Sequence, residues 1–246
     1  MYALKRVTKQ TGDDNRFLNQ AINEFNVSGN FDHATIRKCV RMRRVRTWFR
    51  MQELHLLMEF CEGTSCQANR PTEIGHLVNI FKAVAGALAH VHSRGYIHAD
   101  IKPNNVIYTS ENTVKIIDFG QSCPIGTVKE RIQGTPDFIA PEQVRCRPLD
   151  ARTDVFNFGA TLYWTLTGQP IPTVLPKRSD GVQLVNDMRV TPPEELNPQV
   201  TPALGRLVLD CVEPVLSRRL GSMRDVIARL DLVAHTLNRA NEARTE

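Results

Sequence analysis

Three short segments of the sequence contain side chains whose types and spacing could perform chemistry. Residues 98–105 read His-Ala-Asp-Ile-Lys-Pro-Asn-Asn, residues 118–120 read Asp-Phe-Gly, and residues 140–142 read Ala-Pro-Glu. A carboxylate can orient a hydroxyl group and accept its proton, while carboxylate and amide oxygens are the ligands that a hard divalent cation prefers. Each segment alone is weak evidence, but the three together in this order are highly specific.

The order and spacing of these segments resemble the eukaryotic-type protein Ser/Thr kinase family, and the resemblance extends over essentially the whole chain. It implies Mg²⁺-dependent transfer of the γ-phosphate of ATP to Ser or Thr hydroxyl groups of protein substrates. Residues 134–143, Gly-Thr-Pro-Asp-Phe-Ile-Ala-Pro-Glu-Gln, are similar to the bacterial branch of the family. The predicted cofactors are therefore ATP and Mg²⁺, and the predicted partners are protein substrates.

The resemblance implies a catalytic set made of Asp100, Lys102, Asn105 and Thr135. Asp100 would orient the substrate hydroxyl and accept its proton. Lys102, which marks Ser/Thr specificity in the family, would contact the transferred phosphate as a mobile positive charge. Thr135 would bridge Asp100 and Lys102. Asn105 and Asp118 would hold Mg²⁺, because their side-chain oxygens are hard ligands.

A second set of residues would bind the nucleotide. Lys5 resembles the lysine of the family's Val-Ala-Ile-Lys strand and would bind the α- and β-phosphates, with Glu24 on the following helix as its partner. The alternative for Glu24, a solvated carboxylate on a helix face, stays open. Met58, Glu59 and Cys61 resemble the gatekeeper and hinge, where backbone groups would form hydrogen bonds to the adenine.

Two further matches to the family are structural. Asp154 resembles the buried aspartate that anchors the catalytic loop, and Glu142 is expected to pair with an arginine near the end of the helical part. Arg218 and Arg219 both fit this second role, and their spacing from Glu142 does not decide between them.

The hydrophobic pattern predicts the elements that must hold these residues. The N-terminal part contains a strand at 2–7, a helix with apolar residues at 17–25, a hairpin at 36–50 and a strand at 54–60. From residue 72 onwards the period is helical, and residues 152–166 are apolar on nearly every side, which predicts a buried helix. We therefore expect an α+β, two-lobed protein kinase-like fold.

The predicted domain organisation follows from this change of pattern. Residues 1–62 would form a partial kinase N-lobe, with a small truncated antiparallel sheet and one helix. Residues 63–246 would form a larger, mainly helical C-lobe, and the two lobes together would make one catalytic domain. The sequence starts four residues before Lys5 and shows no Gly-rich loop ahead of it. We expect a chain truncated before that loop, with weak binding of Mg·ATP.

A second departure from the family pattern is the alanine that precedes Asp100. Many kinases have an arginine there, which pairs with a phosphorylated residue of the activation segment. Ala99 cannot form that pair. We therefore hypothesise that activity does not need phosphorylation of the chain between residues 120 and 140, where Ser122 and Thr127 are the candidate acceptors.

Composition and charge limit the other possibilities. Hydrophobic residues make up 41% of the chain, no apolar run approaches the roughly 18 residues of a membrane span, and no signal-peptide pattern opens the sequence, so we expect a cytoplasmic protein. The six cysteines lack zinc-site spacing. The net charge is +5, and residues 37–50 hold seven basic residues and no acid. This segment fits a solvated strand face, an acidic partner or nucleic acid, and its few aromatic residues disfavour the nucleic-acid reading.

Two other classes of function stay open. A pseudokinase or scaffold would use the same fold to bind protein partners; the lack of a Gly-rich loop favours it, whereas the retention of Lys5, Asp100, Asn105 and Asp118 disfavours it. A small-molecule phosphotransferase would share the spacing of the first segment. It would lack the Gly-Thr-Pro…Ala-Pro-Glu segment and the buried Asp-x-x-x-x-Gly helix, and this sequence contains both.

Overall fold

A computed structural model describes residues 1–9, 11, 15–47, 50–111, 113–172 and 189–245. A small strand-rich part precedes a larger helical part, as the predicted α+β class requires. The strands are β1 (Tyr2–Thr8), β2 (Cys39–Thr47), β3 (Arg50–Glu59), β4 (Thr64–Ser65), β5 (Tyr96–Ile97), β6 (Val106–Tyr108), β7 (Val114–Ile116) and β8 (Cys123–Pro124). The helices are α1 (Asn15–Ser28), α2 (Ile74–Ser93), α3 (Pro141–Val144), α4 (Ala151–Thr167), α5 (Pro193–Leu196), α6 (Pro202–Cys211) and α7 (Met223–Thr245).

A three-stranded antiparallel sheet in the order β1-β3-β2 forms the N-terminal part, with α1 against one face. Side chains alternate between the two faces of a strand, and Leu54, Leu56 and Met58 of β3 are buried together with Leu18 and Ala21 of α1. The alternation therefore decides which residues of the sheet face the helix.

The hairpin predicted within residues 36–50 is wrong in its pairing. Residues 39–47 form the single strand β2, which pairs with β3 rather than with itself. Residues 48 and 49, between the two strands, lie outside the described residues. Alternating apolar and basic residues indicate extended backbone, but they do not show where the chain reverses.

Helix α2 lies at the centre of the helical part. Ile80, Phe81, Val84 and Leu88 are fully buried, and α2 packs against α4 and α7. By length and composition, α2 is the one helix in the described part of the chain that could cross a membrane. Its position in the core, between other helices, accounts for its apolar surface.

Helix α4 is buried on nearly every side, as predicted. Asp150 caps its first turn by accepting a hydrogen bond from the backbone N–H of Arg152, and Gly168, with a φ of 75°, caps its C-terminal end. Gly159 faces α6, where an added Cβ would lie 2.5 Å from the Cβ of Cys211. The two helices therefore pack at a separation that a larger residue at position 159 would not allow.

The segment between α1 and β2 connects the sheet to the helical part. Phe31 and Ile36 belong to the buried core that α2 and α4 share, and the rings of Phe31 and Phe119 pack with centroids 5.4 Å apart. The backbone N–H of Arg37 donates to the carbonyl of Ile116 in β7 (3.0 Å). These contacts fix the position of α1 relative to the chain that follows β7.

His33, in this connecting segment, is held in its neutral form. Its Nδ1 accepts a hydrogen bond from the backbone N–H of Thr35 (3.1 Å), so a proton on Nδ1 would break that bond. Burial lowers the pKa of His33 below its usual 6.5, and the neighbouring His90 and Lys115 lower it further.

We expect the thermal stability to fall as the pH drops from about 7 to about 5.5, because the unfolded chain takes up the His33 proton near its ordinary pKa while the folded chain resists it. The contribution of His33 to stability is complete at a pH above the pKa of the unfolded chain. It decreases as the pH falls and is lost once the pH is below the pKa of the folded chain. His33→Asn keeps an acceptor for the Thr35 N–H but does not titrate. Its Tm should therefore fall less over the same range in a fluorimetric melt. Parallel curves of Tm against pH for the two proteins would contradict this.

Candidate active site

The predicted catalytic loop, residues 98–105, is anchored by the buried carboxylate of Asp154. Its Oδ2 accepts from the backbone N–H of His98 (2.8 Å), its Oδ1 accepts from that of Ala99 (2.7 Å), and Nε2 of His92 lies 2.8 Å from Oδ2. Burial acts to raise the pKa of Asp154, but the hydrogen bond and charge of His92, together with His98, outweigh it and lower that pKa. The ionised carboxylate therefore fixes the start of the loop.

Asp100 forms a closed triangle of hydrogen bonds with two other side chains. Its Oδ1 accepts from the hydroxyl of Thr135 (2.8 Å), and its Oδ2 accepts from Nζ of Lys102 (2.8 Å). Nζ of Lys102 also donates to Oγ1 of Thr135 (2.8 Å). The three predicted catalytic side chains thus lie together, with an ammonium group beside a carboxylate that is 8% exposed.

Asn105 connects the catalytic loop to the chain around Asp118. Its Nδ2 donates to the carbonyl of Asp100 (2.9 Å), and its own carbonyl accepts from the backbone N–H of Ile117 (3.0 Å). Its Oδ1 makes no hydrogen bond to the described residues. Since the Asn105 side chain is buried and its amide nitrogen is engaged, its oxygen is the group left to bind a ligand.

Lys5, Glu24 and Asp118 also come together. Nζ of Lys5 donates to Oε2 of Glu24 (2.7 Å) and lies 3.9 Å from Oδ1 of Asp118. Oε1 of Glu24 accepts from the guanidinium of Arg37 (2.5 Å). Glu24 is only 1% exposed, so the alternative of a solvated carboxylate is wrong. A buried carboxylate needs such cationic partners to offset the loss of hydration.

Asp118 adopts a left-handed backbone conformation, with φ 66° and ψ 74°, immediately before a 3₁₀ turn at Phe119–Gln121. The side chain of Phe119 is buried, and its ring centroid lies 4.7 Å from that of His98. Asn23 of α1 donates to the carbonyl of Gly120 (3.1 Å). The backbone around Asp118 is thus held from both sides, while its carboxylate is 41% exposed.

The three predicted hinge residues lie at the end of β3 and just beyond it. Met58 is 3% exposed and packs in the apolar cluster beneath α1. A carboxylate oxygen of Glu59 pairs with Nζ of Lys115 in β7 (2.5 Å), and the thiol of Cys61 lies 3.9 Å from the carbonyl of Glu59. Burial raises the pKa of the Cys61 thiol. Recognition of adenine by the backbone of this segment stays a prediction.

The structure decides the partner of Glu142. NH1 and NH2 of Arg219 donate to the two carboxylate oxygens of Glu142 at 2.7 and 3.1 Å, and both side chains are buried. NH1 also donates to the carbonyl of Arg152 (2.8 Å) and Nε to that of Glu213 (2.8 Å). Arg218, the other candidate, is exposed.

Arg37 is a site residue that the sequence analysis missed. It belongs to the basic run 37–50, for which a solvated strand face is one of three open readings, yet its side chain is 13% exposed and pairs with Glu24. Nothing in the local sequence distinguishes it. Four other arginines of that run are exposed and form no ion pair with the described residues; they are Arg41, Arg43, Arg44 and Arg46.

His92 and Gln143 also escaped the sequence analysis. His92 binds Asp154 from α2, and its only signal was a place in the last turn of a long helix. Gln143 follows the Ala-Pro-Glu segment directly, so its position was marked, but the spacing gave no partner for its side chain. Both partners are distant in sequence and come close only in the folded chain.

Two features of this site together are typical of the protein kinase class. One is a lysine–glutamate pair beside a carboxylate, and the other is an anchored loop that carries a second carboxylate. A sequence model described as the protein kinase domain matches residues 1–229. The chain belongs to the protein kinase domain family.

The similar relatives include bacterial Ser/Thr kinases, in agreement with the predicted branch. A probable serine/threonine-protein kinase of Clostridium acetobutylicum is 29% identical over 73% of this chain and 28% of its own length. Pkn1 of Myxococcus xanthus is 34% identical over 63% of this chain and 24% of its length, and PknB of Mycolicibacterium smegmatis is 31% identical over 63% and 26%. The chain therefore matches about a quarter of the length of each of these relatives.

Proposed function

We propose that this chain is the catalytic domain of a protein Ser/Thr kinase that transfers the γ-phosphoryl group of ATP to hydroxyl groups of protein substrates. The observation that carries the proposal is the 3.9 Å approach of Lys5 Nζ to Asp118 Oδ1, beside the loop that holds Asp100. An ammonium group and a carboxylate this close can act on one triphosphate, the carboxylate through a bound cation. The similarity to relatives named as Ser/Thr kinases supports the same activity.

Each polar group in the proposed mechanism has a task that its contacts suit. Lys5, oriented by Glu24, would bind the α- and β-phosphates. Asp100 would orient the acceptor hydroxyl and take its proton, and Lys102 would offset charge on the transferred phosphoryl group. The hydroxyl of Thr135 donates to Asp100 and accepts from Lys102, so the two side chains are in place before the substrate arrives.

Protein kinases use ATP with a divalent cation, and we propose Mg²⁺ as that cation here. The free Oδ1 of Asn105 and the partly exposed carboxylate of Asp118 fit a hard cation that takes oxygen ligands. Among the described residues no group of three His, Cys, Asp or Glu side chains could hold a metal by itself. This fits Mg²⁺, which proteins commonly hold with one or two side chains together with substrate phosphates. The bound cation would offset the negative charge of the phosphates during transfer.

The domain organisation, the partners and the location are parts of the same proposal. Residues 1–62 would serve as the nucleotide-binding lobe and residues 63–246 as the substrate-binding lobe of one catalytic domain. The loop around Thr135 would receive the Ser or Thr acceptor of a protein substrate. Nucleic acid and membrane partners are not part of the proposed activity, and a cytoplasmic location stays a prediction.

The proposal is tested by measuring transfer of labelled phosphate from Mg·ATP to a generic protein substrate. We expect transfer by the wild type and almost none by Asp118→Asn, because the amide is a weaker ligand for Mg²⁺ than the carboxylate. Lys5→Met should mainly weaken nucleotide binding, measured by calorimetry. Transfer by Asp118→Asn at the wild-type rate would contradict the proposal. A well-folded wild type that binds nucleotide without transferring phosphate would favour the pseudokinase alternative.

A further inference from the structure

Gln143 lies at the centre of a buried hydrogen-bond network that the proposed mechanism does not use. Its Nε2 donates to the carbonyl of Ala99 (2.8 Å) and to that of Gln133 (3.3 Å). Its Oε1 accepts from the backbone N–H of Ala140 (2.9 Å) and from Nδ2 of Asn157 (3.0 Å). The side chain is 3% exposed and uses all four of its hydrogen-bonding positions.

Asn157 extends the network to Phe138, which lies between Gln133 and Ala140. Its Nδ2 donates to the carbonyl of Phe138 (2.6 Å) as well as to Gln143. Its buried Oδ1 has no partner among the described residues. A reversed amide would place that oxygen against two other acceptors, so the two donated bonds fix the orientation. Helix α4, which carries Asn157, thereby holds the segment from residue 133 to residue 140.

Ala99 is the point where this network meets the catalytic loop. Its φ of 63° lies in the left-handed region, which costs a non-glycine residue free energy and persists only where the surroundings hold it. The amide of Ala99 is held by Asp154 and its carbonyl by Gln143. Ala99 directly precedes Asp100, so the two bonds together set the direction in which Asp100 leaves the backbone.

We propose that Gln143, supported by Asn157, is a positioning residue for phosphoryl transfer. It joins the carbonyl of Ala99 to the segment 133–140 and so keeps Asp100 and Thr135 at the distance that their hydrogen bond requires. This inference rests on the proposed function and adds a regulatory consequence: Gln143 and Asn157 join the segment 133–140 to the catalytic loop through uncharged hydrogen bonds that need no phosphate.

The hydroxyl groups on the chain that leads into and through the segment 133–140 agree with independence from a phosphate. Between residues 121 and 139 the sequence contains three of them, on Ser122, Thr127 and Thr135. Ser122 is 2% exposed and donates to the carbonyl of His98, and Thr135 is bonded to Asp100. Thr127 alone is both partly exposed and outside the catalytic contacts. Ala99 offers no cation to a phosphate at any of the three positions.

The test uses Gln143→Met, which keeps the length of the side chain and removes every hydrogen bond. We expect kcat/KM for a protein substrate to fall by about 10- to 100-fold, as expected for leaving buried backbone groups unpaired next to the reacting groups. The Kd for Mg·ATP should stay within about twofold, because the Lys5 cluster is untouched. The same change at the exposed Gln199 is the control and should leave both quantities unchanged.

Rescue separates positioning from general stability. Glycine adopts the left-handed conformation without strain, so Ala99→Gly should restore about a third or more of the activity that Gln143→Met removes. Glycine also raises stability by relieving the strain at residue 99, so kcat/KM is compared at a temperature at which every variant is fully folded. Wild-type kcat/KM in Gln143→Met, or equal losses of transfer and nucleotide affinity that glycine does not restore, would overturn the inference.

A readout without activity keeps the two proposals distinguishable. Hydrogen exchange of the amides at 133–140 should be faster in Gln143→Met than in the wild type, whether or not the chain transfers phosphate. If the wild type transfers none but exchange increases, the proposed function fails and the network stands; unchanged exchange would overturn the network. Thr127→Ala should keep activity within about threefold, and a tenfold loss would overturn independence from phosphorylation.

Discussion

Asp100→Asn is expected to lower the rate of phosphoryl transfer by about 10²–10⁴-fold, the usual contribution of a positioned general base. The amide keeps the shape of the carboxylate but cannot take the proton of the acceptor hydroxyl. Its NH₂ group would also face either the hydroxyl of Thr135 or the ammonium of Lys102, both of which donate to Asp100. The rate is measured with labelled ATP at saturating substrate.

The controls for Asp100→Asn separate chemistry from binding. Asp100 contacts Lys102 and Thr135 and none of the residues around Lys5, so the Kd for Mg·ATP should change by less than about threefold. Asp231→Asn makes the same chemical change on α7, where the carboxylate pairs with Lys82, and should leave the rate as it is. A rate above a tenth of the wild type in Asp100→Asn would remove Asp100 from the role of base.

Glu142→Ala is expected to reduce the free energy of unfolding by about 3–5 kcal/mol, because it leaves the buried guanidinium of Arg219 without its counter-charge. Carbonyl groups of Arg152 and Glu213 would still accept from Arg219, but they carry no full negative charge. The guanidinium also lies 4.9 Å from the ring of Phe156, so it cannot move to solvent without disturbing the core. Urea unfolding measures the change.

Two comparisons make the Glu142 result specific. Replacing both partners, Glu142→Leu with Arg219→Met, should cost less than the sum of the single changes, since no unpaired charge is left. Arg218→Ala, one residue away and exposed, should change the free energy of unfolding by less than about 0.5 kcal/mol. A loss below about 1 kcal/mol in Glu142→Ala would mean that the pair adds little to stability.

Local patterns predicted the elements well and their partners less well. The apolar period of α2 and the all-round apolar surface of α4 identified both helices, because burial of a helix face imposes a spacing on the sequence. The pairing of β2 was mistaken, since alternation of side chains is the same for any antiparallel neighbour. The partner of Glu142 was narrowed to two adjacent arginines, and only the direction of their side chains separates Arg219 from Arg218.

The family, the α+β class and the candidate residues follow from the sequence alone, because short motifs record chemistry that needs given side chains at fixed spacing. The tertiary structure decided that Glu24 is buried, that Arg37 supplies its second cation and that Gln143 contacts Ala99. These facts depend on groups 13 and 44 residues apart. Separation along the chain carries no information about direction or burial, which arise only when the helices and strands pack together.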